Sequence, residues 1–203
     1  MQFEASLNAR TSLHNYEYLD ILDQGWSAAG LPPIAGGGTL CDIGCASFGY
    51  ARSLQAFFRP DRLVGIDVEG HRLFRDGRTR VDYANGYLAA IPGARFVVGD
   101  YADFREPAEL ITAWFPFLTP AAILAWRLPL SLLAPERLFD RIEHNLKPGG
   151  LFIMVNHGLK EATLAEQLCT ATGLVPLTRL VEAGPLSNHR LRPPLLSCWR
   201  HPA

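Results

Sequence analysis

No stretch of about 18 uninterrupted apolar residues occurs in the chain, so the sequence predicts no membrane-spanning helix. The most apolar piece, residues 119–134, is broken by Arg127 and Pro129. The opening MQFEASLNARTSLHNYEYLD lacks a basic start followed by an apolar run, and it is not expected to be a secretory signal. Charge is scarce: 19% of residues are charged and the net charge is −1. So neutral a chain lacks the basic footprint of a phosphate-tracking protein, and no nucleic-acid partner is expected. Cysteines stand only at 41, 45, 169 and 198. None forms a CxxC pair, and no histidine stands at metal-ligand spacing from Cys41 or Cys45. They read as small core residues in a reducing compartment, with no metal site and with the cytoplasm as the expected location. Internal repeats and low-complexity segments are missing too.

What is present suits one domain with a sizeable core: 203 residues, 48% of them apolar. Residues 11–29 place Leu13, Tyr16, Leu19, Ile21, Leu22 and Trp26 at roughly helical spacing. Two prolines and the run Gly36, Gly37, Gly38 then end that helix in a loop. Residues 1–37 are therefore expected to be an N-terminal helical extension or lid, and residues 38–203 the main domain. From 39 onward, short apolar runs alternate with helical patterns. Strands are expected at 39–43, 63–67, 95–99, 110–114 and 151–155. Helices are expected at 49–58, 69–75, 81–90, 135–146 and 162–171. Residues 147–150 (KPGG) read as a turn between a helix and the fifth strand. Two last strands, 174–181 and 195–199, have no helical pattern between them and are expected to pair as an antiparallel hairpin. Strands that are apolar throughout and alternate with helices imply a parallel sheet covered on both faces, an α/β architecture.

The most informative segment is CDIGCASFGY over residues 41–50. It leaves a strand and opens a helix. Gly44 permits a tight turn and a close backbone approach to a ligand. In open α/β sheets ligands bind in this crevice at the carboxyl ends of the strands. Read as Gly44, Ala46 and Gly49, the loop is a loose dinucleotide fingerprint. Asp42 changes that reading, because a carboxylate repels a pyrophosphate and favours a sulfonium or an ammonium.

On these residues the chain resembles the class I S-adenosylmethionine-dependent methyltransferases. Their first motif reads acid-x-Gly-x-Gly-x-Gly; here Asp42 and Gly44 match, Ala46 replaces the second glycine, and Phe48 with Gly49 stands around the third. Asp67, the last residue of the second expected strand, Asp100 followed by Tyr101, and KPGG before the fifth strand continue the match over residues 38–200. The resemblance implies a three-layer Rossmann-like methyltransferase fold with a mostly parallel seven-stranded sheet. It implies S-adenosylmethionine as cofactor, and Asp67 as acceptor of the ribose hydroxyls. Val68 and Tyr101 would flank the adenine, and Asp100 would accept from its amino group. Asp42, Gly44, Cys45, Ala46, Phe48, Gly49, Tyr50 and Trp114 complete the expected cofactor shell.

The acceptor is less legible. After the fourth strand stands WFPF, residues 114–117. An indole only donates, so Trp114 cannot accept from a target amine. This speaks against N-methylation of adenine or glutamine type and for a small-molecule substrate. Phe115, Phe117, Arg127 and Asn156 are the candidate substrate residues, with an apolar pocket and a plain hydrophobic anchor as the two readings of the aromatic run. Residues 119–134 read as lid, core or homodimer contact. The basic run from His71 to Arg80 reads as a solvated helix face, with a phosphate-bearing partner as the other account. His14, Tyr16 and His157 are the candidate bases for an acceptor that must lose a proton. Two rival functions stand beside methyl transfer: a nicotinamide-dependent oxidoreductase, and a non-catalytic cofactor-binding scaffold or partner subunit.

Overall fold

A computed structural model describes residues 8–182 and 194–203. The start of the expected extension, 1–7, and the connection 183–193 lie outside the described residues. The elements are α1 (Ala9–Ala28), β1 (Thr39–Ile43), α2 (Ala51–Phe58), β2 (Arg62–Asp67), α3 (Arg80–Leu88), β3 (Ala94–Val98), β4 (Ala108–Trp114), α4 (Pro120–Ala125), α5 (Pro135–Asn145), β5 (Leu146–His157), α6 (Gly158–Ala171), β6 (Val175–Glu182) and β7 (Pro194–Arg200). Among the described residues no helix is long and apolar enough to cross a membrane.

The seven strands form one sheet in the order β3-β2-β1-β4-β5-β7-β6. β1, β2, β3, β4 and β5 pair in parallel, and β7 runs antiparallel to both β5 and β6. The expected terminal hairpin is therefore present, with β7 inserted between β5 and β6. β1 is buried along its whole length, as a central strand covered on both faces must be. On one face Leu40, Leu63, Ile153 and Val155 pack with Tyr18, Ile21, Leu22 and Trp26 of α1 and with Leu54 of α2. On the other, Val64, Ile111, Phe152 and Met154 pack with Phe139 and Ile142 of α5 and Ala165 and Cys169 of α6. The architecture is a three-layer α/β sandwich.

Three segments depart from the sequence reading. The helix expected at 69–75 is instead a run of turns closed by a bridge between Leu73 and Thr79. Gly70 lies so close to Val98 that an added Cβ would come within 2.3 Å of it, which pins the turn to β3. The helix starts only at Arg80, where Thr79 and Asp82 form a reciprocal capping box. The expected KPGG turn belongs to β5: Leu146 already pairs with Ala108, and the irregularity is absorbed before Leu151 meets Leu110. Residues 119–134 contain α4, begun by Pro120 and capped by the Thr119 side chain, and a short 3-10 turn over Leu130–Leu132. Ile123 anchors this segment in the interior while Leu124, Trp126 and Leu130 stay exposed.

Candidate cofactor site at the carboxyl edge of the sheet

The loop after β1 is held against β2 by its own backbone. The N–H groups of Gly44 and Cys45 both donate to the Ile66 carbonyl, at 2.8 and 3.2 Å. Gly44 has φ +67° and is exposed, and a Cβ built there would meet nothing within 4 Å. It therefore borders open space. Ala46 and Phe48 also have positive φ, 52° and 54°. These are the positions of the second and third glycines of the methyltransferase motif, so the loop keeps a glycine backbone on residues that strain it, at roughly 1–3 kcal/mol each. Local contacts over-determine the strain. The Ala46 N–H donates to Asp67 Oδ2 at 2.8 Å. Phe48 is fully buried, its ring against Gly65, where an added Cβ would come within 2.4 Å of it. Phe48 is thus a core residue, not the ligand contact that the sequence suggests. Cys45 is buried beside it, and burial pushes its thiol well above the ordinary value, so it offers no thiolate.

Asp42 is fully buried. The parallel register of β1 and β4 sets it beside Thr112, whose hydroxyl donates to Oδ1 at 2.5 Å. The Tyr50 hydroxyl donates to Oδ2 at 2.6 Å. Burial raises its pKa to about 7, against the pull of those two hydrogen bonds. Above it the Tyr50 ring stacks on Tyr18, with centroids 4.0 Å apart, and Tyr18 in turn lies on Trp114 at 4.2 Å. His14 closes edge-on against both tyrosines. The expectation that Asp42 faces a cationic ligand is therefore corrected: aromatic rings cover it. Trp114 is part of that cover, and its buried Nε1 has no hydrogen-bond partner among the described residues. Hydrogen bonds tie α1 to this loop, from Asn15 Nδ2 to the Gly49 carbonyl, and to α2, from the Ser53 hydroxyl to the Asn15 carbonyl, both at 2.7 Å.

Asp67 ends β2 nearly buried. Its Oδ1 accepts from the Glu69 N–H at 2.8 Å and from Arg80 at 3.1 Å. Arg80 is only 5% exposed and also reaches Glu69 Oε2 at 2.9 Å. Its guanidinium lies 5.7 Å from the Trp126 ring centroid. Burial raises the Asp67 pKa, while the amides of Glu69 and Ala46 and the Arg80 charge oppose the rise. Val68 and Val98 are exposed beside it, at the ends of β2 and β3. Asp100 Oδ1 accepts from the Ala102 N–H at 2.9 Å. That turn sends Tyr101 into the opposite core, where it is 3% exposed and its hydroxyl accepts from Asn145 Nδ2 at 3.2 Å. Tyr101 therefore does not flank an adenine at this edge.

At the ends of β4 and β5, Phe115 has φ +53° and stacks face to face on His157, with centroids 3.8 Å apart. His157 is exposed. Phe117 meets Trp126 at 5.7 Å, and Arg127 follows in the exposed loop with φ +59°. Asn156 is fully buried, with no hydrogen-bond partner for either amide atom among the described residues, so it is no surface contact. Tyr16 is exposed on α1, whereas His14 joins the aromatic cover. Arg80, Tyr18 and Thr112 escaped the sequence reading as members of the site. For Arg80 a signal existed: the Thr79 and Asp82 pair marks it as the first residue of a helix, not the end of a solvated basic run.

S-adenosylmethionine fits the adenosine side of this edge. Gly44 leaves open space, Asp67 offers a carboxylate oxygen, and Val68 and Val98 offer apolar surface. On the methionine side Asp42 makes no accessible carboxylate. By sequence, no family model and no curated relative matches the chain. By structure it resembles the N-methyltransferase NodS from Bradyrhizobium japonicum, with a TM-score of 0.61, 17% identity, and 97% of this chain and 99% of that one covered. It resembles a SAM-dependent methyltransferase from Aquifex aeolicus, with a TM-score of 0.63, 14% identity, and 98% and 99% covered. It also resembles geranyl diphosphate C-methyltransferase from Streptomyces coelicolor, with a TM-score of 0.61, 13% identity, and 94% and 81% covered. The chain thus has the fold of the class I S-adenosylmethionine-dependent methyltransferases.

Proposed function

We propose that the protein is an S-adenosylmethionine-dependent methyltransferase acting on a small molecule. The observation that carries this reading is the Asp67 carboxylate set beside the open Gly44 turn, at the carboxyl edge of a sheet in methyltransferase order. In this reading Asp67 accepts from the ribose, Val68 and Val98 flank the adenine, and Asp100 accepts from its amino group. The backbone of residues 44–49 carries the rest. The cofactor supplies a methyl group on a sulfonium already activated for in-line displacement. The protein's share is alignment and exclusion of water, from which most of the rate comes. The stacked Phe115 and His157 give the acceptor an apolar wall, and the His157 imidazole takes a proton where the acceptor loses one. The N-terminal helix α1 covers the site from one side, through Tyr18 and His14. Residues 119–134, with Leu124, Trp126 and Leu130 exposed, cover it from the other or meet a second copy of the chain. The cytoplasm, which supplies this cofactor, is the proposed location.

Two solved relatives of this fold, NodS and the geranyl diphosphate enzyme, hold S-adenosyl-L-homocysteine, which supports the same cofactor here. The nicotinamide reading loses ground because β7 runs antiparallel between β5 and β6, unlike the six-stranded dinucleotide-binding order. The scaffold reading rests on one observation, the sealed Asp42. Calorimetric titration with S-adenosylmethionine, S-adenosylhomocysteine and NADH tests all three. The expected result is binding of both adenosyl compounds, no binding of NADH, and a loss of at least about tenfold in Asp67→Asn, which removes a charged acceptor. Binding without turnover on any acceptor would favour the scaffold; NADH binding alone would overturn the assignment.

A further inference from the structure

We propose that Arg80 is a built-in competitor for the cofactor's ribose: it holds an oxygen of Asp67 that it must yield before the ribose can seat with both hydroxyls. This rests on the reading of Asp67 as the ribose acceptor. A carboxylate offers about four lone-pair positions. In Asp67 three are taken, by the Glu69 N–H and Arg80 on Oδ1 and by the Ala46 N–H on Oδ2. One position remains for a ribose that brings two hydroxyl donors, so one donor must leave. The two amides are fixed. The Glu69 N–H closes the turn directly after Asp67, and the Ala46 N–H sits on a loop anchored by two hydrogen bonds to Ile66. The side chain of Arg80 is the donor that can move.

Arg80 also has somewhere to stay. Its second terminal nitrogen holds Glu69 Oε2 at 2.9 Å, and its guanidinium lies 5.7 Å from the Trp126 centroid. Releasing Asp67 leaves the cation paired with one carboxylate and with one aromatic ring, so it is never stranded in the interior. Trp126 immediately follows α4 and is 45% exposed. A shift of Arg80 therefore reaches residues 119–134, and seating of the ribose is coupled to the cover on that side of the edge.

The experiment is a calorimetric titration of the wild type, Arg80→Met, Arg80→Lys and Arg80→Met/Asp67→Asn with S-adenosylhomocysteine, at about pH 8.5 to keep the carboxylates ionised. Arg80→Met is expected to bind about tenfold more tightly than the wild type, or ~1.4 kcal/mol. Lysine keeps the charge but cannot fork across two carboxylates, so Arg80→Lys is expected to fall between the two and serves if the methionine variant does not fold. The gain should vanish in the double variant, because it passes through Asp67. Tryptophan emission should change on binding in the wild type, and that change should shrink in Arg80→Met. Equal or weaker binding by both Arg80 variants overturns the competitor and leaves the cofactor assignment standing. No binding by any of the proteins removes the assignment itself, and the proposal with it.

Discussion

Asp42 and Asp67 lie at the carboxyl ends of neighbouring strands, one residue inside β1 and at the last residue of β2, and burial is answered differently at each. Asp67 has two amides and a guanidinium, whereas Asp42 has two hydroxyls and no cation. Desolvation therefore dominates at Asp42 and holds its pKa at about 7. The group binds its proton more tightly folded than unfolded. Its contribution to stability is thus complete below its unfolded value of about 4 and is lost as pH rises to about 7. The loss is about 1.4 kcal/mol for each pH unit crossed in that window. Asp42→Asn keeps the shape and removes the titration. Urea melts from pH 4 to pH 8 should therefore show the wild type losing stability relative to Asp42→Asn as pH rises through this window. A difference that stays flat with pH would mean that Asp42 titrates normally and is not sealed.

At the scale of elements, the loop after β1 shows how a departure from a motif is compensated. A phenylalanine in a left-handed backbone persists because its ring fills the space that Gly65 leaves on β2. Gly65→Ala would place a Cβ 2.4 Å from that ring and 2.8 Å from Cys45 Sγ. It is expected to cost about 1–3 kcal/mol by overpacking. In a Phe48→Ala background the same change should cost much less, a non-additivity of about 1 kcal/mol or more that denaturant melts of the four proteins in the cycle would resolve. Full additivity would mean that the two residues do not share the space. The same loop marks where the sequence is legible. The strands are legible because the parallel strands are short apolar runs, buried along all of β1 and nearly all of β2, and Asp67 because it ends one of them. The helix expected at 69–75 failed because its pattern is local while the turn is pinned by Val98 from another strand. Arg80 was hidden for a similar reason. In sequence it closes a basic run, and only the fold brings Asp67 and Glu69 around it.

At the scale of the molecule, the question is whether α1 is a lid or a part of the core. Lids open at little expense because they bury few apolar contacts. α1 buries Tyr18, Ile21, Leu22 and Trp26 in the same cluster as Leu40, Leu54, Leu63 and Val155. The Trp26 Nε1 donates to the Pro32 carbonyl at 2.9 Å, and Asn15 and Ser53 tie the helix to α2. The helix is therefore expected to unfold with the sheet and not ahead of it. Leu22, fully buried, should cost about 2–5 kcal/mol when changed to Ala, lowering the urea midpoint of the whole transition. Hydrogen exchange should protect residues 18–26 to the same free energy as β1. Residues 9–12, the first turn of α1, should exchange sooner, since that turn is exposed to half-buried and carries little of the packing. Early exchange of the whole helix would make it a lid after all. Concerted exchange would confine any gating to the rings of Tyr18 and Tyr50 over Asp42 and to residues 119–134, with the body of α1 standing still while a ligand enters.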